Sequence, residues 1–210
     1  MQELIIRDVR LQGGMPVGRY VLEVDENTPI EWPISWASAQ AMRPGLAGDV
    51  ALKIMAHGFE QKIGANPMDA NVVWGLGGNV RSAPPPQPAM GIYSQGGAGI
   101  QFCRDNIRLA TLSRFAPLCG LLKGIDLMAC GAAYITPGFE GKDGDGNLLC
   151  YRLAQITQTY VRASTATQLY FTLPTVEFGA WEGTVLTYSP SGAVVKVESG
   201  GTAPTSCPIH

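Results

Sequence analysis

Two apolar runs do most to limit what this chain can fold into. Asp49 to Gly58 reads DVALKIMAHG, with Lys53 the only charged residue inside it, and Lys123 to Ile135 reads KGIDLMACGAAYI. A strand with one wet face alternates polar and apolar residues, whereas a strand covered on both faces is almost continuously apolar. Both runs are therefore expected as central strands. RDNIRLATLSRFAPLCGLL follows the first, with Ile107, Leu109, Leu112, Phe115 and Leu118 at roughly helical spacing and Pro117 marking the last turn. LLCYRLAQITQTY, an amphipathic helix, and the strand YVRAST follow the second. Strand, helix, strand, helix, strand from Asp49 to Thr165 predicts an α/β fold with a mostly parallel sheet flanked by helices.

The flanking segments add β-structure. LIIRDVRL and RYVLEVD around the turn GGMPVG read as a β-hairpin or as the first strand of the sheet, and Ser35 to Met42 as a short helix stopped by Pro44 and Gly45. Phe59 to Gly99 is an active-surface loop or an excursion hairpin containing the strand candidate NVVWGL. GLGGN at 75–79 and SQGGAG at 94–99 read as loops, since they lack the lysine and strand-to-helix context of a phosphate cradle. GIQFC gives a short strand. YFTLPTVEF, GTVLTYSP and AVVKVES are strands that extend the sheet or wall off a pocket. The tryptophans at 32, 36, 74 and 181 are expected in the core or lining a pocket, Trp181 in the pocket.

At 210 residues one domain is the default, with its core over about 1–190 and a flexible tail over 199–210. Hydrophobic residues make up 46% and charged residues 15%, which favours a packed core over a disordered chain. A net charge of −2 without a basic stripe argues against nucleic acid as a partner. No apolar stretch approaches the roughly 20 residues that span a bilayer. MQELIIRDVR lacks the order of a signal peptide, so a cytoplasmic location is expected. Five cysteines at irregular spacing, with no C-x-x-C pair and only two histidines, suit neither a disulfide framework nor a zinc site. Most of these thiols are expected to be reduced, and no cofactor is expected.

Both central strands end in chemistry. In parallel sheets ligands bind beyond the carboxyl ends of the strands, and there stand His57, the only internal histidine, and Cys130. Each is followed by glycine. Taken singly, such a histidine is more often a hydrogen-bonded surface residue and such a cysteine more often packing. Their placement at corresponding ends of the two most buried strands sets the pair apart. Cysteine chemistry needs a thiolate, a base and donors for the charge on the attacked carbonyl, and the amides of Gly58 and Cys130 are candidates for an oxyanion hole.

A buried strand ending in His-Gly, then one ending in Ala-Cys about seventy residues later, resembles the caspase, gingipain, clostripain and separase group of cysteine peptidases, including the bacterial caspase-like domains called CHAT. The resemblance covers about residues 49–165, and the helix LLCYRLAQITQTY leading to VRAST is similar to a segment of some bacterial members. It implies a caspase-like three-layer sandwich with extra β-hairpins. It further implies an endopeptidase acting on protein or peptide substrates through a thioester acyl-enzyme, with Cys130 as nucleophile, His57 as proton shuttle and no third residue. Asp126 is then a structural residue. Arg162, Ser164, Glu177, Trp181 and Glu182 are candidates for the substrate pocket, with acidic and basic preferences both open.

Two other readings stand beside this one. One is a catalytically inactive caspase-like module that recruits partners, for instance through the Pro-rich loop at 83–88. The other is a small α/β ligand-binding domain in which the pair is coincidental. In KDGDGN, Asp143, Asp145 and Asn147 alternate as in a calcium loop, but Leu148 and Ala154 stand where glycine and the bidentate glutamate are needed. A turn before a helix, with Asn147 near its N-cap, is the expectation, and self-cleavage in this loop is a third use.

Overall fold

The computed structural model describes residues 1–62, 93–172 and 174–201. The two apolar runs form β3 (Val50–Met55) and β6 (Gly124–Met128), which lie side by side and parallel, in register from Ala51 opposite Gly124 to Met55 opposite Met128. On the far side of β6 runs β7 (Tyr160–Ser164), and on the far side of β3 runs β1 (Gln2–Asp8), both parallel to their neighbours. Beyond β1 lies β2 (Tyr20–Val24), also parallel. The first two β-runs are thus parallel neighbours and not a hairpin. Antiparallel β10 (Thr184–Tyr188) and β11 (Val194–Ser199) complete the other edge. Among the described residues the sheet has seven strands, ordered β11-β10-β7-β6-β3-β1-β2.

Side chains alternate across the sheet, so each strand contributes to two different surfaces. Leu4, Ile6, Leu52, Ile54, Ile125, Leu127, Val161 and Ala163 form one face and are fully or almost fully buried. Against it pack α1 (Glu31–Ala41), the 3₁₀ helix Leu109–Leu118 and α2 (Gly146–Thr157). Each buried Leu or Ile here contributes about 1.5–3 kcal/mol by leaving water. The opposite face carries ion pairs: Lys53 with Glu3, Asp126 with Arg162 and Arg7 with Glu23. It turns apolar only near the carboxyl ends, where Ile5, Met55 and Met128 meet Leu11 and Val176. All helices of the described residues therefore lie on one face, which departs from a sheet flanked by helices in a three-layer sandwich. The second face is covered by the antiparallel pair β8 (Tyr170–Phe171) and β9 (Glu177–Phe178) and by the β1–β2 connection, whose Gly14 bonds to Thr172 and Val176 through the backbone. Lys53 and Asp126, opposite each other in register, carry the solvent-side alternation that the apolar runs hid.

Several local expectations change for physical reasons. Leu112, Phe115 and Leu118 recur every three residues, the period of a 3₁₀ helix, and that is the structure they form. SQGGAG is not a loop but most of β5 (Tyr93–Ile100), antiparallel to β4 (Gly58–Lys62), so the excursion after β3 is β-structured. Its glycines are required there: Gly96 and Gly97 have φ of 139° and 89°, and a Cβ on either would lie within 3.0 Å of backbone atoms of Gly131 or Tyr134. The strand predicted in GIQFC is only the end of β5. NVVWGL, GLGGN, Trp74 and the Pro-rich segment 83–88 lie outside the described residues. So does the tail beyond 201, while Gly200 and Gly201 are tied by backbone bonds to Trp181 and Gly183. Trp32 is half exposed, whereas Trp36 packs against the helix-side core. No helix of the described residues is long and apolar enough to cross a membrane.

Candidate active site

His57 and Cys130 each stand two residues beyond the registered pair Met55 and Met128, so the sheet itself brings them to the same level. The two chain segments touch: a Cβ on Gly58 would lie 1.8 Å from the carbonyl oxygen of Cys130 and 3.2 Å from its Cα. Only glycine lets the backbones approach so closely. The sheet order reverses between β1 and β3, since β2 follows β1 to one side and β3 starts the other. A reversal of this kind opens a crevice at the carboxyl ends. His57 follows β3, one of the two strands between which the order reverses.

His57 is buried, with 8% of its surface exposed. Its Nε2 donates to the carbonyl of Arg10, 3.1 Å away. A carbonyl can only accept, so Nε2 carries the proton and Nδ1 is the basic nitrogen of the neutral ring. The ring meets Tyr170 edge-on, with centroids 6.0 Å apart, and burial raises the Tyr170 phenol above its ordinary value. The His57 carbonyl accepts from the Gln101 amide at 2.8 Å.

Cys130 is 5% exposed, and its Sγ accepts from the Gln168 amide at 3.4 Å. Cys130 is also disulfide-bonded, which departs from the expectation of a reduced thiol at this position. Cys103, Cys119 and Cys150 are free, as expected. Burial pushes the thiols of Cys103 and Cys150 far up, which disfavours the thiolate at both. Gly131, after Cys130, donates to the Ala166 carbonyl at 2.8 Å, which fixes the turn.

The five pocket candidates are not brought together. Arg162 stacks on Trp181 with its guanidinium carbon 5.1 Å from the ring centroid, and both line an open cavity of about 370 Å³ with Val185 and Glu198. Glu177 belongs to a different cavity, of about 190 Å³, beside Glu3 and Lys53. Neither is lined by His57 or Cys130. Ser164 and Glu182 are buried and line neither of these two cavities. The Ser164 hydroxyl donates to the Glu182 carbonyl at 2.6 Å, and the Glu182 carboxylate accepts from the Leu169 amide. Both brace the segment behind Cys130, as does Gln168, which bonds through its side chain to Ala166, Thr167 and Glu182. Asp126 pairs with Arg162.

The loop KDGDGN leads into α2. Asp145, not Asn147, is the N-cap of α2, accepting from the Leu148 amide at 2.9 Å and the Gly141 amide at 2.8 Å. Asn147 accepts from the Tyr188 hydroxyl, and no group of three metal-ligating side chains occurs among the described residues.

Sequence reasoning missed Asp8, Arg10, Gln168 and Tyr170. Asp8 and Arg10 carried a signal, as charges at the end of an otherwise apolar run. Gln168 and Tyr170 carried none. Comparison with protein-family models, curated proteins and solved structures finds no match to this chain.

Proposed function

We propose that this chain is a cysteine endopeptidase of the caspase-like kind, with Cys130 as nucleophile and His57 as proton shuttle. The observation that supports the reading best is the contact between Gly58 and the Cys130 backbone at the carboxyl ends of two neighbouring parallel strands. In the reduced protein Cys130 gives its proton to His57, and the sulfur attacks the peptide carbonyl. The amides of Gly58 and Cys130 receive the charge on oxygen. The C–N bond then breaks, His57 returns the proton to the leaving amine, and a thioester remains. Water attacks the thioester, losing a proton to His57, and the acid and the thiol are released.

The disulfide at Cys130 makes the described state an oxidised one, and a thiolate is required for attack. Activity therefore depends on a reductant, which a cytoplasmic location would supply. The test treats the protein with a dithiol and then with an electrophilic peptide probe. Cys130 should label far faster than the other four cysteines, and Cys130→Ala or His57→Ala should abolish the labelling. Equal labelling of all five would overturn the reading. The same disulfide favours a second reading, an inactive caspase-like module that recruits partners, and in that case partner binding survives both substitutions.

A further inference from the structure

The geometry points to Asp8 as the positioning residue for His57, acting through the backbone of Arg10; this rests on the peptidase reading above. Asp8 ends β1, the strand beside β3, and is fully buried. Its carboxylate takes the Arg10 side chain in a two-pronged grip, Nε to Oδ1 at 2.7 Å and Nη2 to Oδ2 at 2.6 Å. It also accepts from the Arg10 amide at 3.1 Å and the Cys103 amide at 2.9 Å. Arg10 Nη2 reaches on to the Cys103 carbonyl at 2.7 Å. Residues 8 to 10 are thereby folded into a tight loop whose outward carbonyl, that of Arg10, meets His57 Nε2.

A buried ion pair adds little net stability, because desolvation of two charges offsets their attraction. What this one supplies is direction. The backbone between Asp8 and Arg10 is held from both ends, and the carbonyl it aims decides which ring nitrogen of His57 carries the proton. With Nε2 protonated, Nδ1 is the atom that takes a proton from a thiol or a water. Releasing Arg10 lets the carbonyl turn away, and both tautomers and other ring orientations become populated. Small displacements of a reacting group cost up to about 100-fold in rate.

The test uses the full chain, in which His57 and His210 are the only histidines. Nitrogen NMR of protein labelled in the histidine rings should show His57 as the Nε2-protonated tautomer in the wild type and as a mixture in Asp8→Asn. Inactivation of the reduced protein by the peptide probe should slow about 10-fold to 100-fold in Asp8→Asn, in the maximal rate and not in probe affinity. Arg10→Lys keeps the charge but loses the fork, and should show a smaller loss in the same direction; it carries the test if Asp8→Asn does not fold. An unchanged tautomer in a folded variant overturns the proposal, as does a loss confined to probe affinity. If wild-type Cys130 does not label at all, the peptidase reading fails, while the histidine resonances still decide what Asp8 does.

Discussion

The two faces of the central sheet are built from the same strands and yet do different work. The helix side is a continuous apolar layer from Leu4 through Val161, covered by α1, the 3₁₀ helix and α2. The other side alternates ion pairs with a small apolar cluster, and that cluster sits at the carboxyl ends, beneath β8 and β9. The difference teaches where stability and chemistry are kept. Apolar burial on one side holds the strands in register, which frees the other side and the strand ends to carry charged and hydrogen-bonded groups.

If that division is right, substitutions should cost less as they move from the helix side to the open side. Phe115→Ala, in the 3₁₀ helix and fully buried, should lower stability by about 3–5 kcal/mol in chemical denaturation, the largest effect expected. A cost under 1 kcal/mol would break the comparison at its strongest point. Gly58→Ala places a methyl against the Cys130 carbonyl and should cost about 1–3 kcal/mol through overpacking. Its separate signature is loss of Cys130 labelling by the peptide probe below the melting transition, and full labelling would show that the strand ends can part without consequence. Ile5→Val, in the small cluster of the second face, should cost about 0.5–1.5 kcal/mol. Smallest is the Glu3 and Lys53 pair, both partly exposed, for which a double-mutant cycle should give a coupling below about 1 kcal/mol. A larger coupling would mean that the open face bears more of the fold than its composition implies.

Much of the candidate site could be read along the chain, because the apolar runs and the residues that end them are contiguous. His57 and Cys130 were visible as the polar ends of two strands. The line of charged residues Lys53 and Asp126 was visible too, but a single polar residue in an apolar run reads as an exception until its neighbour across the sheet is known. Ser164 and Glu182 illustrate the opposite case: nothing in their types announces the hydrogen bonds by which they hold a buried segment.

By itself the sequence determined the α/β class, the parallel order of β3, β6 and β7, and the position of the histidine and cysteine at strand ends. Each of these follows from periodicity and local composition, which act over one turn or one strand. Only the tertiary structure decided that the helices share one face, that a glycine-rich stretch is a strand, that Cys130 is disulfide-bonded and that the Arg10 carbonyl, just past β1, accepts from His57. These depend on contacts between groups as far apart as Arg10 and Cys103, whose energies exist only once the chain has closed around them.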